Sequence, residues 1–196
     1  MKIEELSGKK KGILEKTGAL LSGHFRLTSG LHSPNYLQCA KIFQFPDYCS
    51  KIAKEIAKSF LDKKITVTAA PAVGGILIAY ELARGLGCRT IFAEREEGRM
   101  ILRRGFKLER DDHILIVEDV VTTGGSILEI AKLGAEVGAE IVGFSAVLDR
   151  SCGRFNPPQP FIPWLSLEIE TFNPDACPLC SQNIPLYQPG SRNLKK

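Results

Sequence analysis

At 196 residues with a formal net charge of +4, the chain is long enough for one domain with a sizeable core and too weakly basic to imply a nucleic-acid partner. Its 44% hydrophobic and 24% charged content is that of a soluble globular protein; no apolar run approaches the roughly 20 residues of a membrane span, and the Lys-rich N-terminus lacks a signal-peptide stretch. The expectation is a cytoplasmic protein with no membrane partner, whose slight positive charge suits small anionic ligands.

Residues 9–21 read as a first helix, with Ile13, Leu14, Ala19 and Leu20 on its apolar side and Gly12 and Gly18 weakening it. Residues 23–30 alternate like a short strand ending in a turn. Ser33 to Tyr36 reads as a second turn and Tyr36 to Cys39 as a second short strand. Phe45-Pro46-Asp47 opens a helix, with Asp47 as its cap, and Tyr48, Ile52, Ile56 and Phe60 recur every four residues on one face.

From there strand and helix alternate. Residues 65–70 predict a strand, 71–75 a loop, 76–86 a helix stopped by Gly87, and 89–93 a strand. Residues 114–117 predict a buried strand and 126–137 a helix, with Ser126 and Glu129 as a capping box; 140–148 predict another strand. Repeated units of this kind imply a parallel sheet with helices on both faces, and ligands in such sheets bind at the carboxyl ends of the strands. After residue 150 the alternation stops in a Pro-rich loop, and 164–170 predict a last strand. The chain reads as a single domain over 1–196. Its α/β core covers about 61–150, and a small hood subdomain comes from about 1–45 and 151–196.

The most informative segment is Ile114-Leu-Ile-Val-Glu-Asp-Val-Val-Thr-Thr-Gly-Gly-Ser126. A buried strand runs into adjacent acids, Glu118 and Asp119, then into a Gly loop at a helix N-terminus. Such a loop directs backbone N–H groups and the helix dipole at an anion. Carboxylates beside a phosphate cradle repel a bare phosphate, but a sugar phosphate gives them hydroxyls to bind. Neither a Walker loop nor a dinucleotide fingerprint is present. A turn that merely caps a helix has no use for the paired acids.

This run resembles the signature of the type I phosphoribosyltransferases, which bind phosphoribosyl pyrophosphate (PRPP). Further along the chain, Phe25-Arg-Leu-Thr-Ser-Gly-Leu-His-Ser-Pro-Asn-Tyr36 resembles a segment of the orotate phosphoribosyltransferases. So do Ala70-Pro-Ala-Val-Gly-Gly75, Ala93-Glu-Arg-Glu96 with Leu102-Arg-Arg-Gly105, and the ending with Cys177-Pro-Leu-Cys180. The resemblance implies a type I phosphoribosyltransferase core under a hood and transfer of the phosphoribosyl group from PRPP to orotate, giving orotidine 5′-monophosphate in pyrimidine biosynthesis. It implies catalytic roles for Glu118, Asp119 and Arg99, and PRPP contacts from Arg95, Ala72, Val73, Gly74, Thr122, Thr123, Gly124, Gly125 and Ser126. Ser29, Gly30, Tyr36 and Thr122 would line the base site, with Arg150 or Arg154 on the orotate carboxylate. Mg²⁺ would bind mainly through PRPP phosphates and ribose hydroxyls, so no dedicated protein ligands for a metal are expected. By itself the Arg-rich, Gly-bracketed segment 94–105 reads as a solvated, charge-balanced hairpin; the resemblance implies a homodimer in which it acts as a mobile lid over the partner's pocket. The chain departs from many members in having Thr28 where they carry Lys, and an Arg-rich segment without His where theirs holds Lys and His.

Two other readings share the PRPP pocket: a transferase for another base, and a PRPP-sensing regulator without turnover. The hood segment speaks against the first. The lack of an evident helix-turn-helix or basic face in residues 1–60 speaks against a DNA-binding version of the second. No protein nucleophile is needed, so His24, His32 and His113 read as structural. The chain is too large to need a disulfide scaffold for its six cysteines. Cys177 and Cys180 form a CxxC without a second CxxC or a following His pair. A metal site there would need Cys152, a His or another subunit, and the reading preferred is a packed or surface turn.

Overall fold

The computed structural model describes residues 1–6 and 8–189. Strands β1 (Leu20–Arg26) and β2 (His32–Leu37) form an antiparallel pair. Strands β3 (Val67–Pro71), β4 (Arg89–Glu96), β5 (Arg99–Leu102), β6 (His113–Val121), β7 (Glu140–Asp149) and β8 (Phe161–Ser166) make a second sheet in the order β5-β4-β3-β6-β7-β8. Only β5 runs antiparallel to its neighbour. The helices are α1 (Gly8–Thr17), α2 (Ala40–Phe43), α3 (Pro46–Ala57), α4 (Ile76–Leu86), α5 (Gly125–Glu136) and α6 (Pro178–Ser181). Among the described residues no helix is long and apolar enough to cross a membrane.

The sheet is α/β and mostly parallel, as the alternating pattern predicts. Side chains on a strand alternate between faces. Ala70, Leu115 and Val117 pack with α1, α3 and α4 on one side, while Val67, Ala69, Ile114 and Ile116 pack with α5 on the other. Both faces are covered, so the central strands are apolar throughout. From β3 the chain crosses to β4 on one side, and from β6 to β7 and β8 on the other. The adjacent pair β3 and β6 is therefore the topological switch point, where a crevice opens beyond the strand ends.

Several local expectations are corrected. The first helix ends at Thr17, whose hydroxyl bonds back to the Ile13 carbonyl, and Gly18 turns with φ +62°. Leu20 and Leu21 therefore belong to β1. The expected turn at Ser33–Tyr36 lies inside β2. Pro34 is tolerated because the pairing register breaks between Ser22 and Phe25, opposite it. Neither Asp47 nor Ser126 caps a helix: the N-cap positions are Phe45 and Gly124. The final strand starts at Phe161, not Trp164, and carries Pro163 on the sheet edge, where a missing N–H does least harm.

Segment 94–105 is regular over much of its length, as its charge-balanced pattern allows. Much of it is the β4–β5 hairpin, with Met100 buried and Arg95, Arg103 and Arg104 paired to Glu129, Glu96 and Glu94. Its charges are balanced locally, and pairing to β4 gives the backbone a better arrangement than a loop.

The ends of the chain meet at the β1–β2 hairpin. The Phe172 N–H donates to the His32 carbonyl, the Tyr187 N–H to the His24 carbonyl and the Arg26 N–H to the Tyr187 carbonyl, at 2.8–2.9 Å.

Candidate active site

A cleft of ≈ 770 Å³ opens at the switch point. Its floor is built by the loops that follow β3 and β6, and its roof by the β1–β2 hairpin with Arg150. The cleft brings together Tyr36, Ala72, Val73, Gly74, Arg95, Glu118, Asp119, Thr122, Thr123, Gly124, Gly125, Ser126 and Arg150. A recess of ≈ 270 Å³ adjoins it, lined by Arg26, Thr28, Tyr36, Gln38, Cys39, Asp119, Gln188 and Pro189 among others.

The paired acids sit near the end of β6, so they project to opposite faces. Glu118 is buried; its carboxylate accepts from the Asp119 N–H at 3.1 Å. The Asp119 carboxylate accepts from the Val120 N–H at 2.8 Å and leans against Gly74. A Cβ at Gly74 would lie 2.4 Å from the Asp119 carboxylate oxygen. The β3 loop must therefore carry glycine at this point for the carboxylate to stand where it does. Cys39 points its sulfur at the Asp119 carbonyl, 3.7 Å away, and burial raises its thiol pKa, so it borders the recess as a neutral group.

The β6 loop ends with Gly124 at φ +77°, and α5 starts at Gly125. The first N–H groups of a helix have no acceptor within it. Those of the first turn of α5 border the cleft, and nothing negative in that turn competes with an incoming anion. Phe155 closes the loop from outside, so closely that a Cβ on Gly124 would meet its ring at 2.1 Å.

The β3 loop is more selective than the sequence reading allows. Pro71 has no N–H, and that of Ala72 donates to the Ala93 carbonyl at 2.8 Å. Ala72, Val73 and Gly74 all line the cleft, and the Ala72 N–H is already engaged. The peptide between Ala72 and Val73 is cis. Arg95 reaches the cleft while forked onto Glu129 at 2.8 and 3.1 Å, which holds that carboxyl below its usual range. Glu129, expected in a capping box, instead also accepts from the Met100 N–H and ties α5 to the edge hairpin.

Four expected residues lie elsewhere. Ser29 and Gly30 are in the hairpin turn, where the Ser29 hydroxyl accepts from the Leu31 N–H at 3.4 Å. Arg154 is exposed and bonds the Ser151 carbonyl. Arg99 is exposed on β5 and does not line this chain's cleft. Between the two candidates for the carboxylate contact, Arg150 is the one in the cleft. Burial lowers its pKa, partly offset by nearby Tyr36, whose own pKa burial raises. Among the described residues no carboxylate forms an ion pair with Arg150. The sequence reading missed Gln38, Cys39, Gln188 and Pro189. Pro189 belongs to the Pro189-Gly-Ser-Arg192 ending that carries part of the resemblance, but its place in the recess, like that of the other three, follows only from both chain ends folding over the cleft.

Comparison with known proteins agrees with this architecture. The profile described as "Phosphoribosyl transferase domain" matches residues 38–174. An orotate phosphoribosyltransferase of Caldicellulosiruptor saccharolyticus is 50% identical over 183 residues, covering 93% of this chain and 96% of that protein. One from Thermotoga maritima is 47% identical over 185 residues, covering 94% and 99%. Among solved structures, the Mycobacterium tuberculosis H37Rv orotate phosphoribosyltransferase in complex with Fe(III) dicitrate superposes with a TM-score of 0.67 at 20% identity. That match covers 81% of this chain and 97% of that one. An adenine phosphoribosyltransferase from Thermoanaerobacter pseudethanolicus follows the same fold at a TM-score of 0.59 and 19% identity, covering 68% and 88%. With a phosphate-sized loop, paired acids and a recess roofed by both chain ends, and with relatives this similar over nearly its whole length, the chain belongs to the phosphoribosyltransferase family, among the orotate phosphoribosyltransferases.

Proposed function

We propose that the chain transfers the phosphoribosyl group of PRPP to orotate, releasing pyrophosphate and forming orotidine 5′-monophosphate. The loop Thr122–Ser126 and the α5 N-terminus hold the 5′-phosphate. Glu118 and Asp119 accept from the ribose hydroxyls and face the positive charge that develops on the ring as the anomeric C–O bond breaks. Val73 and Gly74 donate to the leaving pyrophosphate. The base nitrogen attacks the anomeric carbon, so no protein nucleophile takes part. Preorganised charge of this kind is worth most where water is excluded.

The observation that carries the choice of base is Arg150: a half-buried cation beside Tyr36, in the cleft, with no carboxylate paired to it among the described residues. Orotate brings that carboxylate. Uracil and purines leave the guanidinium desolvated and unpaired.

Mg²⁺ belongs to this reading. The donors at the sugar end are all oxygens, and Gly74 leaves the Asp119 carboxylate room at the cleft, which suits a hard cation. Glu118 and Asp119 would hold it through the ribose hydroxyls, and when bound it would neutralise charge on the pyrophosphate. A homodimer belongs to it as well. Val73 in the β3 loop and Leu77 and Tyr80 on α4 are exposed apolar side chains close together in the chain. Arg99 is exposed and does not line its own pocket, which leaves it available to a neighbour. A cytoplasmic location follows from two charged substrates that do not cross a bilayer unaided.

The test is steady-state turnover with PRPP, Mg²⁺ and a panel of bases. Orotate is expected to exceed uracil, hypoxanthine and adenine by at least about 100-fold in kcat/KM. Arg150→Ala should raise the orotate KM about 10- to 100-fold with less effect on PRPP, and Arg154→Ala should do neither. Faster turnover of another base overturns the assignment. Binding of PRPP without turnover of any base would instead make the chain a sensor.

A further inference from the structure

Outside the cleft, where the C-terminal segment meets the β1–β2 hairpin, four potential metal ligands converge. They are His24 on β1, His32 at the start of β2, and Cys177 and Cys180 flanking and within α6. His24, His32 and Cys177 are buried, and Cys180 is at the surface. None of them lines the cleft or its recess.

The spacing approaches that of a tetrahedral site, with the two imidazole nitrogens closer together and the widest pair further apart than a bound ion would set them. Zn–S bonds of about 2.3 Å and Zn–N bonds of about 2.0–2.1 Å place ligand atoms about 3.3–3.8 Å apart. Here Cys177 Sγ is 3.6 Å and Cys180 Sγ 3.8 Å from His24 Nε2, Cys180 Sγ is 3.3 Å from His32 Nδ1, and the two imidazole nitrogens are 2.9 Å apart. All four ligand atoms lie within 4.8 Å of one another. The tautomer of His24 is set from outside. Its Nδ1 lies 2.8 Å from the Ile184 carbonyl, which can only accept, so Nδ1 carries the proton and Nε2 turns a lone pair inward. A carbonyl behind a ligating imidazole is the usual support of a metal site.

We propose that His24, His32, Cys177 and Cys180 bind one zinc ion as a closed structural site. With four protein ligands it has no open position for substrate or water, so its role is mechanical. It fastens the C-terminal segment to the hairpin. That segment also delivers Gln188 and Pro189 to the recess, opposite Thr28 and Tyr36 of the hairpin. The CxxC is half of a site whose other half is about 150 residues earlier in the chain. This revises the expectation that no metal is held by protein side chains.

The test uses the full chain, purified under reductant, dialysed against metal-free buffer and assayed for metal by plasma mass spectrometry. About one zinc per chain is expected. After chelation, titrated Co²⁺ should give the intense absorption of a tetrahedral ion with a thiolate charge-transfer band, saturating near one equivalent. Cys180→Ser should weaken binding at least about 100-fold, and Cys152→Ser should leave it unchanged. Less than about a tenth of an equivalent of zinc in the reduced, zinc-reconstituted wild type, or a weak octahedral cobalt spectrum, overturns the proposal. Both readouts are taken on the wild type, so a variant that fails to fold does not blunt them. Neither depends on whether orotate is the substrate.

Discussion

Asp119 stands where it does partly because of an atom that Gly74 lacks. Its carboxylate fills the space of the missing Cβ and is anchored from below by the Val120 N–H. Glu118, on the opposite face of the same strand, is buried. Buried or half-buried acids at a strand end are unfavourable unless something is made of them. In the proposed reaction they meet a sugar that becomes cationic as its bond breaks. The double change Glu118→Gln with Asp119→Asn keeps shape and hydrogen-bonding capacity while removing charge. It should lower kcat by at least about 1,000-fold, the scale seen when preorganised charge is removed. Circular dichroism and the urea midpoint check that the fold survives. Near-normal turnover would falsify the role given to the pair.

The element that does most is the β6–α5 unit. Its strand supplies the acids, its loop the cradle and its helix the N–H groups. The loop turns at Gly124, which combines a left-handed backbone with a ring packed against the place a side chain would occupy. Gly124→Ala should therefore cost roughly 2–4 kcal/mol, from a left-handed non-glycine residue plus overpacking. Gly87→Ala, at the left-handed C-cap of α4 with open space around it, should cost only about 1–2 kcal/mol. Urea unfolding of both variants checks the order. Equal losses would mean that Phe155 moves aside easily and does not fix the loop.

At the scale of the whole molecule, the cleft is assembled from parts distant in sequence and, on the proposed reading, from a second chain. Arg99 belongs to a hairpin held at the sheet edge by Arg–Glu pairs, and it is exposed on its own subunit. Suppose it serves the partner's pocket, and take one variant lacking Arg99 and another lacking Asp119. Each is nearly inactive alone, but a mixed dimer then has one pocket with both defects and one with none. Random exchange makes about half of the dimers mixed, so activity should recover to about a quarter of wild type. If mixed dimers form by size-exclusion of tagged chains while activity stays at the level of the parents, Arg99 does not act across an interface.

Whatever depends on neighbours along the chain is legible in the order of residues. The strand–acid–glycine run fixes a strand, a turn and a helix within a dozen or so residues, and their chemistry is visible in their order. The alternation of apolar segments fixes a parallel sheet, because short crossovers leave few other arrangements. Tertiary structure decided the rest. That segment 94–105 is tied to α5 through Glu129 depends on packing between distant elements. Whether Arg150 or Arg154 faces the cleft depends on how the backbone turns after β7. The recess with Gln38 and Gln188 and the grouping of His24 and His32 with Cys177 and Cys180 join residues far apart in the chain. No local pattern encodes such meetings, because they are fixed by burial and backbone pairing between the two ends of the chain.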